Sequence, residues 1–456
     1  MSNRVIQLEF NEICPPLVER FMAAGELPNF KRLYDRSEIY TTDAGEQPPN
    51  LEPWIQWTTV HTGMSYAEHG LFNLDEGHRL PAEQIWSRLS AAGKKVWICG
   101  SMNVGHNDDI NGFIAPDPWA KNVSSFPAGE FDDYLNFVRQ NVQEHTNANA
   151  RPGFGDTRRF IQFLVRKGLT LGLATRLVRQ VLLERSTGKF RWQRASMLDL
   201  IQWNVFRTYW QKHRPEFSTL FLNSVAHFQH VYWRNMEPEL FTARPDTAEQ
   251  EEFQNAILNG YKVFDDVIGE CLDMIGPGDR IVLLSALSQH PCLKYEDMGG
   301  KRHYRPFDFP ALTTLAGIDA PYECSPVMTE EFLLRFETAE QAASAMAQLS
   351  GLMVSGEPAI RVRQDQEELM VGCGMFREVS TEERVVCGTA GNEGIAFFDL
   401  FYQIAEKKSG EHDPAGLCWM TAADGQQRLH RDALPLVAVH GKVMALMTDE
   451  EQQAAA

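Results

Sequence analysis

The sequence has no paired cysteines, no long apolar run and no excess of positive charge. Its eight Cys stand singly at 14, 99, 271, 292, 324, 373, 387 and 418, with no CxxC pair, in a chain of 456 residues too large to need disulfide staples. They read as reduced thiols. The longest charge-free stretches, Pro53 to Ala67 and Ile281 to Leu293, include polar residues and fall short of the roughly 20 apolar residues of a membrane span. No cationic apolar leader precedes Val5. The expectation is a soluble, cytoplasmic protein. With 43 Lys+Arg against 61 Asp+Glu the net charge is −18, which argues against general nucleic-acid binding. Neither Cys99-Gly100-Ser101 nor Asp297 to Lys301 has the spacing of a phosphate loop.

What is present is ordinary globular material, 43% hydrophobic and 23% charged, enough for one large domain with an insertion or for two to three domains. Positive charge is concentrated in one place. Arg151 to Arg194 holds eleven Lys+Arg and two Asp+Glu, a local +9, with Leu, Val and Phe at helical intervals among the Arg. This predicts one or two basic amphipathic helices, either an ordinary surface pair or a contact for anionic lipid or a polyanionic substrate.

The first hundred residues alternate apolar runs with helical patterns, the sign of βα units around a mostly parallel sheet with helices on both faces. Buried strands are predicted at Arg4 to Phe10, Lys94 to Gly100, Phe217 to Asn223, Arg280 to Leu287 and Gly416 to Thr421. A wholly helical stretch interrupts the alternation and carries the basic segment. After about Pro321 a strand, helix, strand, strand texture marks a small α+β lobe, followed by a helix over IAFFDLFYQIAEKKSG. The predicted layout is core over 1–130, helical insertion over 131–215, core over 216–320, lobe over 321–394, and core with a polar, frayed tail over 395–456.

In open α/β sheets ligands gather outside the carboxyl ends of the strands. Glu9 and Glu12 stand at the end of the first strand, Asn223, His227 and His230 at and after the end of Phe217 to Asn223, Ser285 to His290 after RIVLL, and His412 before Gly416. Imidazoles and carboxylates converging from separate strands are what a zinc-like ion needs. Trp54, Trp57, Tyr232 and Trp233 would suit either core packing or stacking on a base or sugar.

Four ordered motifs carry a family resemblance. VIQLEFNEICPPLVERFMAAGELPNFKRL, WTTVHTGMSYAEHGLFNL with Thr62, Gly63, His69 and Gly70, HFQHVYWR, and GEHDPAGLCWM resemble the alkaline phosphatase superfamily. Within it the likeness is to the type I phosphodiesterase and nucleotide pyrophosphatase branch, which the sulfatases adjoin. The resemblance covers about 4–120, 217–290 and 395–447. It implies an alkaline-phosphatase-like α/β core and a metal-dependent hydrolase or transferase of phosphate or sulfate esters. Carried over by position, the first-strand Asp is Glu9, and the later ligands are His230 and His412. The nucleophile's place falls on Pro53, and Gln289-His290 stands where an Asp-His pair is expected. What survives implies a mononuclear zinc site of Glu9, His230 and His412, with His227 able to fill the vacated carboxylate position and Glu52 acting as base or ligand. Catalytic roles are therefore expected for Glu52 and His227. The implied partner is an anionic small molecule or a glycolipid, with membrane-surface contact through Arg158 to Arg185 and no nucleic acid. The other reading is a pseudoenzyme that keeps the fold as a binding or scaffold protein.

Overall fold

All six residues of β1 (Val5–Phe10) are buried, because this strand lies in mid-sheet with neighbours on both edges. The other main strands are β2 (Ser37–Asp43), β3 (Val96–Cys99), β4 (Gly112–Ala115), β5 (Phe217–Leu222) and β6 (Arg280–Ser285). After β6 comes a two-stranded ribbon of β7 (Ser288–Pro291) and β8 (Gly410–Asp413), which leads into β9 (Ala415–Thr421). The computed structural model describes residues 4–144, 153–327, 331–388, 394–404 and 407–448; the tail over 449–456 lies outside them.

The sheet runs β2, β9, β6, β1, β5, β3, β4, with the short strands Arg428–Leu429 and Leu434–Pro435 beside β2. Strands β6, β1, β5, β3 and β4 are parallel; β9 is antiparallel to both of its neighbours. The five strands predicted from sequence thus share one sheet. Because β9 runs against β6, its beginning lies beside the carboxyl end of β6. A residue just before β9 therefore reaches the same rim as residues just after β1 and β5.

Helices cover both faces. They include α1 (Pro53–Thr62), α2 (Phe154–Lys167), α3 (Leu171–Thr187), α4 (Arg194–His213), α5 (Ser224–Met236) and α6 (Ala256–Met274). Phe10 packs against Phe264 of α6 with the rings tilted, whereas Glu9, its neighbour in β1, meets His61 of α1. Successive strand residues point to opposite faces, so these two contacts place α6 and α1 on opposite sides. Among the described residues no helix is long and apolar enough to cross a membrane.

The chain divides into two compact units, Met1–Glu237 with Pro245–Pro291 and Gly410–Ala456, and Pro238–Arg244 with Cys292–Ser409. In the second, strands Ile360–Asp365, Glu368–Cys373, Phe332–Arg335 and Glu323–Pro326 form their own antiparallel sheet beside helix Ala339–Ser350. Leu334, Leu349, Leu352 and Leu369 lie in its core. This unit is wider than the expected lobe over 321–394, because His303–Pro306 pairs with Phe401–Ile404 and draws in sequence on either side. The same pairing corrects the helix expected over IAFFDLFYQIAEKKSG. Among the described residues of that segment only Phe397–Leu400 is helical, and Phe401–Ile404 is a strand.

The Thr62, Gly63 and His69 motif is structural. Thr62 bonds back to the Thr58 carbonyl, and Gly63 ends α1 at φ +73°, where a Cβ would come 3.0 Å from the His440 side chain. His69 is buried, and its Nδ1 accepts the Leu71 N–H at 3.0 Å. Burial pushes the His69 pKa down from 6.5 to about 4. Its folded pKa is therefore below its unfolded one, so the stability is whole above pH 6.5 and falls as the pH drops toward 4. A loss of about 2 kcal/mol between pH 7 and pH 5 is expected from this group. Urea unfolding of the wild type and His69→Gln at both pH values measures it; equal pH dependence in the two proteins would exclude His69 as the cause.

Candidate metal centre

The chain leaves β1 at Phe10 and turns at once through Asn11 and Glu12. Glu12 stands at φ +56°, a left-handed conformation that costs a non-glycine residue on the order of 1 kcal/mol. The surroundings hold it there. Gln229 Nε2 donates to the Glu12 carbonyl at 2.6 Å, Tyr261 OH donates to Gln229 Oε1 at 2.8 Å, and the Cys14 N–H donates to Tyr261 OH at 2.7 Å. Asn11 Nδ2 donates to Glu12 Oε1 at 2.9 Å, while Trp57 of α1 donates to Asn11 Oδ1 at 2.8 Å. Gln289 of β7 donates to both Glu12 Oε2 and the Ala226 carbonyl.

Two imidazoles converge on that carboxylate. His230 sits in the second turn of α5, the helix that opens after β5 with the buried Asp199 carboxylate accepting the N–H groups of Asn223 and Ser224. Burial pushes the Asp199 pKa up to about 6, against those hydrogen bonds. His412 lies on β8 directly opposite Gln289. His230 Nε2 is 3.1 Å and His412 Nε2 is 3.4 Å from Glu12 Oε2. Ligand atoms of the three residues all lie within 4.8 Å of one another. Glu12 is sealed at 2% side-chain exposure, and His230, at 31%, is the group nearest solvent.

The far nitrogens decide what the site suits. His230 Nδ1 is 3.1 Å from the Gly410 carbonyl, and His412 Nδ1 is 2.9 Å from the Leu51 carbonyl. A carbonyl oxygen only accepts, so each Nδ1 carries the proton. In the neutral ring each Nε2 then presents a lone pair toward a carboxylate oxygen. Only positive charge between them, a proton on each ring or a cation shared by all three, makes that arrangement favourable. Nδ1 donation to a carbonyl is also how protein metal ligands fix the imidazole tautomer. Burial alone would raise the Glu12 pKa, but the His412 and His230 charges and hydrogen bonds outweigh it and hold the carboxyl well below the usual range.

Glu9, the expected carboxylate, is a different residue in kind. It is fully buried within β1, and its Oε1 lies 2.8 Å from Gln7 Nε2 and 2.9 Å from His61 Nε2. Glu12, three residues on, meets the two imidazoles in its stead. Glu52 precedes α1 without capping it by its side chain, and its Oε2 stands 3.7 Å from His412 Nδ1. His227 is outside the group of three; its ring lies 5.7 Å from that of Phe228. His290 is exposed and faces Glu411 at 3.9 Å. Pro53 begins α1 where a nucleophile was sought, and Thr58 and Thr62 spend their hydroxyls on carbonyls of that helix. Cys14 is no thiolate either, since burial pushes its pKa up to about 12. Trp54, Trp57, Tyr232 and Trp233 are buried core residues. Asn11, Gln229 and Tyr261 were not singled out as site residues from the sequence, and Gln289 only as the residue standing where an acid was expected; the local signal was the polar pair Asn11-Glu12 directly after an apolar strand.

No family profile and no curated protein matches the sequence. Among solved structures, phosphonoacetate hydrolase from Sinorhizobium meliloti 1021 aligns with 98% of this chain and 96% of its own at 12% identity and a TM-score of 0.46. Murine ectonucleotide pyrophosphatase/phosphodiesterase 5 aligns with 98% of this chain and 95% of its own at 10% identity and a TM-score of 0.44. These likenesses assign neither this chain nor any of its residues a role.

Proposed function

We propose that this protein is a hydrolase or transferase of phosphate or sulfate esters that holds one divalent ion, zinc, through Glu12, His230 and His412. The observation that carries the reading is the pair of Nδ1 bonds to carbonyls, which aim two Nε2 lone pairs at one buried carboxylate oxygen. Two His and one carboxylate match a catalytic zinc set with an open position. When bound, such an ion supplies Lewis acidity toward the ester oxygens and makes water a competent nucleophile near neutral pH. In this reading the chain's own residues do the rest. Asn11 and Gln289 fix the Glu12 carboxylate, Glu52 accepts the proton of the attacking water, and His227, one turn before His230, is the second proton carrier.

The alternative is a binding or scaffold protein in which both imidazoles are protonated and hold Glu12 as an ion triad. Pro53 at the nucleophile's place and Gln289 in place of an acid favour it. Metal analysis of protein purified without added metal separates the two. About one equivalent, lost in His230→Ala, supports the enzyme; metal in neither protein favours the scaffold. With an aryl phosphodiester as substrate, Glu52→Gln should lower kcat about 100-fold while metal occupancy holds. A smaller change than about threefold would remove Glu52 from the chemistry.

A further inference from the structure

Seven of the thirteen large hydrophobic side chains that stand exposed among the described residues fall between Ile161 and Leu182. Helix α2 turns Phe160, Phe163 and Leu164 inward and leaves Ile161 and Val165 outside, at 53% and 64% exposure. Helix α3 turns Leu173 and Gln180 inward and leaves Leu171, Val178, Val181 and Leu182 outside. Both pack on α4. Arg158, Ile161 and Val165 stand three and four residues apart on α2, and Val178, Leu182 and Arg185 stand four and three apart on α3 with Val181 beside them, so each set follows one helical face.

The cations of this region divide in two. Arg159, Lys167, Arg176 and Arg194 are tied to Asp156, Glu130, Asp266 and Glu184. Arg158, Arg166, Arg179, Arg185 and Lys189 are exposed and have no acidic partner among the described residues. The outward rows of both helices are thus apolar and cationic, in a chain of net charge −18. A solvated face would hold acids among its cations, and a nucleic-acid face would have no use for the outward Val and Leu. Pairing with a second copy would bring unpaired cations together.

We propose that α2 and α3 dock this protein on the surface of an anionic lipid bilayer. Ile161, Val165, Val178, Val181 and Leu182 enter the boundary between headgroups and acyl chains, and the five unpaired cations meet lipid phosphates. The proposal stands independently of the metal centre. Its test is co-sedimentation of the full chain with phosphatidylcholine vesicles made with and without phosphatidylglycerol. Binding is expected only with phosphatidylglycerol and should weaken steeply with salt. Arg179→Glu with Arg185→Glu should reduce partitioning about tenfold or more, and Val178→Glu with Leu182→Glu should abolish it, with far-ultraviolet circular dichroism unchanged. No binding to the anionic vesicles, or equal binding by the variants, overturns the proposal. So does a wild-type dimer that Leu182→Glu converts to monomer, which would assign the face to self-association.

Discussion

Glu12→Gln is expected to weaken metal binding by at least about 100-fold, whereas Glu9→Gln should leave occupancy at the wild-type value. The substitution at 12 removes the only anionic group of the three that converge. It preserves shape, but one amide oxygen cannot serve both Asn11 Nδ2 and Gln289 Nε2 as the two carboxylate oxygens do. The loss therefore falls on the site and on its orientation, while the sheet around it is untouched. Glu9 instead spends Oε1 on Gln7 and His61 inside the core. Elemental analysis of the two variants beside wild type reads the result, with circular dichroism to verify folding. Full occupancy in Glu12→Gln would discard the centre described here, and loss in Glu9→Gln would return the ligand role to Glu9.

The three residues between Glu9, the carboxylate expected from sequence, and Glu12, the one that meets both imidazoles, show where sequence reasoning stops. Hydrophobic runs marked the core strands because a strand covered on both faces must be apolar along its length. They also placed the end of β1 at Phe10, where the structure has it, but not which nearby carboxylate meets the imidazoles: Glu9 stays inside the sheet on the α1 face, and Glu12 is the carboxylate carried past the rim by a left-handed turn. His412 could be found from its place before an apolar strand, although only the antiparallel course of β9 explains how it reaches the ends of parallel strands. Gln289 was visible as a residue where an acid was sought; its use as a donor to Glu12 depends on a ribbon pairing across more than a hundred residues, β7 with β8. The segment Phe401–Ile404 carries apolar residues that fit a helix as well as a strand, and its long-range pairing with His303–Pro306 decided the matter.

His61→Leu should cost about 2 to 5 kcal/mol of stability, the span between losing a buried neutral hydrogen bond and losing a buried ion-pair partner. His61 and Glu9 are both fully buried, and Oε2 of Glu9 has no hydrogen-bond partner among the described residues. Removing the imidazole leaves the Glu9 carboxyl with Gln7 alone, in a pocket walled by Trp57 and Trp86, whose rings lie 5.8 and 4.8 Å from that of His61. Water cannot replace the lost partner without opening that wall. Pairing the change with Glu9→Met removes the stranded carboxyl too, so the double variant should regain a large part of the loss, less about 1 kcal/mol for the Gln7 amide left without its acceptor. Urea unfolding followed by tryptophan fluorescence suits the measurement, because two of the reporting indoles flank the pair. Metal occupancy should stay constant through the whole cycle, since Glu12, His230 and His412 are unchanged. A cost below about 1 kcal/mol for His61→Leu, or a fall in occupancy with Glu9→Met, would mean that the pair serves the metal centre rather than the core.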